Sequence, residues 1–344
     1  MSLVDLPPEL LLNFISLALY DNPHPVSVLL INPTFLTLGQ TILHADLAFT
    51  TIHQIEFFSK GDAPLAIRPR SLTVTLSGGT SDFRLFGLLR DALKRCNADE
   101  SHRTSKLPEA RNYMIGGLIH GGPLELDKLG FCFNTHTTDP NLPLLFDVLS
   151  RVNPKEFSWI GPDPDHHFSI AIVPDALRYL FPGIASWSNI THITLTNISF
   201  LHYPNLSPVS ASLISFAHAN LKHLTTILFR QATFLNPLII AMIACAPQSY
   251  ALRTLRVVDA YSHSIWGPRV RHADVERAVL STEMEVMMEE SHDWNNFRNK
   301  WDRVERVKEI VRCGAHTKRI NGGDNETHDL EVLPDDLPTC KLTG

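Results

Sequence analysis

The chain has 344 residues, 44% of them hydrophobic and 19% charged, with a formal net charge of −6. That supports a sizeable core in one large domain or two smaller ones. It excludes a wholly disordered chain and gives no general attraction for nucleic acid or anionic membranes. No stretch is long and apolar enough to span a bilayer, since the run Phe234–Ala246 is too short. Leu10–Leu19 is no signal peptide, because Asp5 and Glu9 precede it and no basic region does. The cysteines are Cys96, Cys132, Cys245, Cys313 and Cys340, an odd and scattered set without a C-x-x-C pair. This argues for a reducing compartment and against a disulfide framework, so the expected location is intracellular, cytoplasmic or nuclear.

The first element is a helix start, Leu6-Pro7-Pro8-Glu9-Leu10. Proline fits the first helical turn, where an N–H has no partner to lose. Glu9 sits at the positive end of the helix dipole, and Asp5 is the expected N-cap. Leu6, Leu10, Phe14 and Leu17 recur at helical spacing, and Leu11, Ile15 and Leu19 widen the stripe. The face is wider than one small helix needs for its own packing, which leaves part of it for a partner. A second segment runs from Val26 through Leu29-Leu30-Ile31-Asn32-Pro33 to Phe35, and Ile42-Leu43-His44-Ala45-Asp46-Leu47 follows. Pro33 is expected to break or kink the second helix.

Over residues 3–50 this pattern resembles the F-box family, especially its fungal F-box-like members. Leu6-Pro7-Pro8-Glu9-Leu10 and Ile15 match the opening helix. Leu29–Asn32 leading to Phe35, and then Ile42–Leu47, match the second and third. The resemblance implies a Skp-type linker bound through Leu6, Pro7, Leu10, Ile15, Leu30 and Phe35. It also implies a cullin–RING ubiquitin ligase, with the rest of the chain holding a protein substrate.

Residues 50–70 read as a connector and Ser71–Leu76 as a strand, from its period-two alternation. Ser81–Cys96 reads as a helix with Leu85, Leu88, Leu89, Ala92 and Cys96 on one face, and Asn97–Lys106 as a polar loop. A motif then recurs, apolar-x-x-apolar-x-apolar. Its copies are Leu126/Leu129/Phe131, Ile190/Ile193/Leu195 and Leu252/Leu255/Val257. Leu221/Leu224 starts a copy that fits better one register on, as Leu224/Ile227/Phe229, and Phe157/Ile160 starts a poor one. The starts 126, 157, 190, 221 and 252 lie 31, 33, 31 and 31 residues apart. Helix-like stretches fall between them: the stripe Leu142/Leu145/Leu149/Val152, then Asp175–Leu180, Pro208–Ala219 and the all-apolar Leu235–Cys245.

A strand and a helix at fixed period, each unable to cover its own apolar face, stack into a solenoid. This is similar to the leucine-rich-repeat family, although of that family's asparagine ladder only Asn134, eight residues after Leu126, is in place. The expected fold is therefore α/β. An F-box-like helical segment occupies 1–50 and an irregular leucine-rich-repeat-like solenoid 51–270. Helices over 271–313 cap the last repeat, with a break near Ser291-His292-Asp293, and 314–344 form a loose tail.

No constellation of residues marks an enzyme. Met114–Pro123 is glycine-rich but lacks the Lys-Ser/Thr of a phosphate loop. Asp163-Pro164-Asp165-His166-His167 places its would-be ligands side by side and reads as a solvated loop, not a metal site. No cofactor is expected. Tyr261 and Trp266 follow the last strand and are candidate substrate contacts, or they pack beneath the capping helix. The competing readings are an interaction scaffold outside any ligase, with the first helices closing the first repeat, and an enzyme without a recognisable motif.

Overall fold

The computed structural model describes residues 6–22, 24–76, 82–104, 122–162, 169–200, 216–217, 219, 221–246, 249–289, 299–315 and 331–332. Three helices come first: α1 (Pro8–Asp21), α2 (Pro25–Leu29) and α3 (Pro33–Ala45). The N-cap of α1 is Pro7, whose carbonyl accepts from the N–H of Leu10 and Leu11, and Asp5 lies outside the described residues. Pro33 does not break the second helix. It opens the third, where its fixed φ is an asset, and the Asn32 side chain caps that helix by accepting from the Phe35 N–H at 2.9 Å.

The sheet begins at β1 (Asp46–Phe49), inside the stretch expected to be helical. The connector after it holds a helix, α4 (Ile52–Lys60), closed by a Thr51/Gln54 capping box. Then follow β2 (Ser71–Thr75), α5 (Leu85–Thr104), β3 (Leu124–Cys132), α6 (Leu144–Ser150) and β4 (Val152–Trp159). Helix α5 runs on through the start of the polar stretch expected to be a loop, whose remainder from 105 lies outside the described residues. Next come α7 (Pro174–Ala185), β5 (His192–Thr196), β6 (Thr226–Arg230), α8 (Pro237–Cys245) and β7 (Thr254–Val258). The chain continues with α9 (His272–Val279), α10 (Thr282–Glu289), α11 (Lys300–Ile310), β8 (Val311–Ala315) and β9 (Glu331–Val332).

All nine strands form one sheet in chain order, and every pair is parallel. Parallel neighbours need a crossover, and the helices supply it: α4 packs on α5, α5 on α6, α6 on α7, and α8 on α9. Two apolar rows run through the register. One reads Leu72, Leu129, Phe157, Ile193, Ile227, Leu255; the other Val74, Phe131, Trp159, Leu195, Phe229, Val257. All twelve side chains are buried in one main core. Its aromatic centre has Phe131 edge-on to Phe157 and Trp159, at 5.7 and 5.3 Å, while the Trp159 indole N–H donates to the Phe133 carbonyl at 3.0 Å.

These rows correct the expected repeat. Phe157 occupies the second apolar position of its copy, and Pro154 the first, since Pro154 pairs with Leu126. Leu224/Ile227/Phe229 is the register in use. The rows therefore step by 28, 36, 34 and 28 residues from Leu129 to Leu255, so the near-constant period was a coincidence of misplaced starts. The helices over 272–310 do not end the sheet either. They connect β7 to β8, which lies beyond β7 in the sheet, and Val304, Val307 and Ile310 join the main core. Residues 314–315 and 331–332 are strand, where a loose tail was expected. The loops at 163–168, most of the glycine-rich 114–123, nearly all of 208–219 and the break at 291–293 lie outside the described residues.

Cys96, Cys245 and Cys313 are buried free thiols, and burial pushes each up to about 12. Cys132 is disulfide-bonded. One bond is not a framework, but it withdraws the cysteine pattern as support for a reducing compartment.

Candidate docking surface

The three leading helices pack only thinly. Leu11, Ile15 and Leu19 on α1, Val28 on α2 and Phe35 on α3 form a core separate from that of the sheet. Gly39 lets α3 approach α2 closely, because a methyl group there would run into Leu29. The unit is tied to the sheet body directly: α3 leads into β1, the Ala66 N–H donates to His44 Nδ1 at 2.8 Å, and the Arg70 N–H donates to the Ala45 carbonyl at 2.7 Å.

A second side of α1 is open. Leu10 (48% exposed), Phe14 (52%) and Leu17 (62%) follow i, i+4, i+7 and share one face. That face is turned roughly a third of a revolution from the buried one. Leu30 (75% exposed) and Ile31, which follow α2, are exposed, and Val26, Leu36 and Leu43 add further exposed apolar groups. Exposed apolar side chains grouped on one helix face are the kind of surface by which proteins meet partners.

The six residues expected to meet a linker protein divide. Leu6 is partly exposed, and Pro7, Leu10 and Leu30 are exposed. Ile15 and Phe35 are buried inside the unit, so they hold its helices together and are unavailable to a partner. Phe14, Leu17 and Ile31 belong in the exposed set instead. Two apolar series on α1 carried that signal, Leu11/Ile15/Leu19 for the core and Leu10/Phe14/Leu17 for solvent.

The second candidate pair also divides. Trp266 is 64% exposed. Tyr261 is buried, with the Arg269 guanidinium 5.8 Å from its ring centre, and Arg269 is itself paired with buried Asp259 at 3.2 Å. Tyr261 is therefore part of the loop's own packing and is withdrawn as a substrate contact.

Elsewhere an open groove of about 580 Å³ lies between the start of α8 and helix α9, lined by Arg271 and Arg277 against Asp274 and Glu283. Within it Arg277 pairs with Asp274 at 3.3 Å. Among the described residues no group of three His, Cys, Asp or Glu side chains is placed to hold a metal ion. No described helix is long and apolar enough to cross a membrane. Comparison with family models, curated proteins and solved structures returns no match.

Proposed function

We propose that this chain is an F-box-like adaptor. Its three-helix unit docks a Skp-type linker of a cullin–RING ubiquitin ligase, and its sheet body, read as an irregular leucine-rich-repeat-like solenoid, holds a protein substrate. The chain then performs no chemistry itself and raises the substrate's concentration beside a ubiquitin-charged enzyme. One observation carries the reading: the three helices close over a core of their own while Leu10, Phe14, Leu17 and Leu30 stay exposed. Helices serving only as a lid would spend that surface on the neighbouring sheet, and the face of α1 that is buried is occupied by α2 and α3. The solenoid part is supported by the chain-ordered parallel strands and by two apolar rows repeated on each of β2–β7.

Each apolar side chain fully buried at such an interface contributes roughly 1.5–3 kcal/mol, offset by the cost of association. Leu10→Arg, by placing a charge in the patch, is expected to abolish capture of a Skp-type protein in a pull-down. The circular dichroism spectrum and melting temperature should stay at wild-type values, because Leu10 does not serve the core. Capture undiminished by Leu10→Arg and Phe14→Arg together would remove the surface from the proposal. The scaffold reading has one observation in its favour, the direct bonding of α3 to the segment between α4 and β2. A chain that co-purifies with no linker and binds a purified Skp-type protein not at all would decide for it.

A further inference from the structure

Charge is unevenly placed along this chain. Residues 176–258 hold five Lys or Arg and no Asp or Glu, although the whole chain carries a net charge of −6. Of the five, Arg178 pairs with Asp175 on α7, and Arg230 is buried. The other three, Lys222, Arg253 and Arg256, make no ion pair or side-chain hydrogen bond among the described residues. Every other described lysine has a carboxylate beside it. Lys60, Lys94, Lys155, Lys300 and Lys308 stand in ion pairs, and Lys128 sits opposite Glu156 in the register.

The fold gathers these three cations at one edge of the sheet, where β5, β6 and β7 begin. Lys222 and His223 are the central residues of a turn closed by the Leu224 N–H donating to the Leu221 carbonyl at 3.1 Å, and both are exposed. The ladder then starts. The Thr225 N–H donates to the Thr191 carbonyl and the Arg253 N–H to the Thr225 carbonyl, each at 2.9 Å. This sets exposed Arg253 beside the turn. Exposed His192 opens β5 in register with Thr226 and Thr254, and half-buried Arg256 follows two residues along β7. No described carboxylate lies on β5–β7 or in the turns leading into them. The same edge on β3 and β4 differs, with exposed Glu125, Asp127 and Glu156 among its lysines. The cationic part therefore spans three strands, about 10 Å, the length of roughly three or four extended residues. A short run of carboxylates fits those limits. A long uniform polyanion, such as a nucleic acid strand, would meet Glu156 and Glu125 as it continued towards β3.

We propose that the edge carrying Lys222, His223, Arg253 and Arg256 docks a short acidic segment of a partner protein, an extended run of Asp and Glu side chains. This names the class of protein substrate that the sheet body holds, and so rests on the substrate-holding part of the reading under Proposed function. The contacts are charge pairs open to solvent, so binding is weak, steered by charge and strongly dependent on salt.

The test uses the full chain without a linker protein. The probe is a dye-labelled peptide with four consecutive Asp and Glu residues, and its Asn/Gln counterpart is the control. Fluorescence anisotropy at low salt should show saturable binding of the acidic peptide alone, weakened several-fold at physiological salt. Lys222→Glu/Arg253→Glu should abolish binding, and Arg256→Gln should weaken it several-fold. Lys60→Glu/Lys308→Glu, which changes net charge equally but on α4 and α11, should leave it unchanged. If charge reversal disturbs the circular dichroism spectrum, the milder Lys222→Gln/Arg253→Gln carries the test, with a several-fold loss expected. No binding, equal binding of the Asn/Gln peptide, equal loss in the two charge-reversed variants, or full binding by Lys222→Glu/Arg253→Glu would overturn the proposal. A single-stranded DNA oligomer bound more tightly than the acidic peptide would overturn the choice of a protein segment. No readout here involves a Skp-type protein, so failure of this proposal and failure of linker docking are told apart.

Discussion

The two parts of this chain bury their apolar side chains on different terms. The sheet body encloses two continuous apolar rows, and helices pack along one face from α4 to α9. The three-helix unit encloses five apolar side chains. Half of the large exposed apolar side chains among the described residues lie on that unit, although it ends at residue 45. A small domain has too much surface for its volume to seal all of its apolar groups, but chance exposure scatters. Here it follows one face of α1 and the end of α2. The body covers its two apolar rows itself, and the unit leaves one face of α1 uncovered.

That contrast is most directly broken in the body. Trp159→Ala removes a fully buried indole packed on Phe131 and Phe133 and the N–H bond to the Phe133 carbonyl. The expected loss is about 3–5 kcal/mol, read as a fall in the denaturant midpoint of the whole sheet. Ile15→Ala is expected to cost about 2–5 kcal/mol, but only within the first three helices, because Ile15 touches a separate core. Hydrogen exchange should show protection lost over residues 8–45 and kept over β2–β7. If the sheet loses protection in step with α1, the two cores are one cooperative unit and the contrast fails.

What the sequence announced and what it concealed follow the same division. Strand residues with strict alternation, such as Leu72/Val74 and Ile193/Leu195, were legible because one face of the sheet is buried and the register admits no slip. Phe157 was misassigned because Pro154 fills the first apolar position of its copy and an aromatic, Trp159, the third, so the motif no longer looked apolar at each place. The helix over 52–60 was missed, although its Thr51/Gln54 capping box was written in the sequence. A polar row at the strand ends was missed as well. Asn197, Gln231 and Asp259, each seven residues after the first apolar position of its copy, take φ of 56°, 49° and 48°, and each donates its N–H to the next strand. The leucine-rich-repeat family keeps its asparagine one residue further on. Ile15 and Phe35 were correctly read as apolar helix positions. Which side of a small helix faces inward is decided by the partner helices, and spacing alone does not contain it.

The polar row yields a smaller and sharper test of the body. Gly161 precedes Asn197 in that row, and a methyl group at Gly161 would come within 2.5 Å of the Asn197 side-chain oxygen. Asn197 is not free to yield, since its amide donates to the Ser169 carbonyl at 3.0 Å and its oxygen accepts from the Thr196 hydroxyl at 3.0 Å. Gly161→Ala is therefore expected to destabilise the body by about 1–3 kcal/mol, the range for overpacking. Thermal unfolding should show the sheet affected and the three-helix unit unchanged. A neutral result would mean that the row tolerates a shift and does not fix how the strands end.

The smallest effect belongs to the surface of the body. Lys155 donates to Asp127 at 2.7 Å across β3 and β4, and this bond holds the Asp127 carboxyl below the usual carboxylate range. A folded-state value below the unfolded one means that the pair stabilises above the ordinary carboxylate range and that the contribution disappears as pH falls through the folded value. Both side chains are more than half exposed, so solvent screens the attraction and Asp127→Asn is expected to cost no more than a few tenths of a kcal/mol at neutral pH, less in high salt. Chemical denaturation of wild type and variant at neutral and at acid pH checks this, with the two curves converging at the acid end. A loss above about 1 kcal/mol would show that edge charges, and not the two buried rows, set the strand register, and the body could then no longer be called complete in its own core.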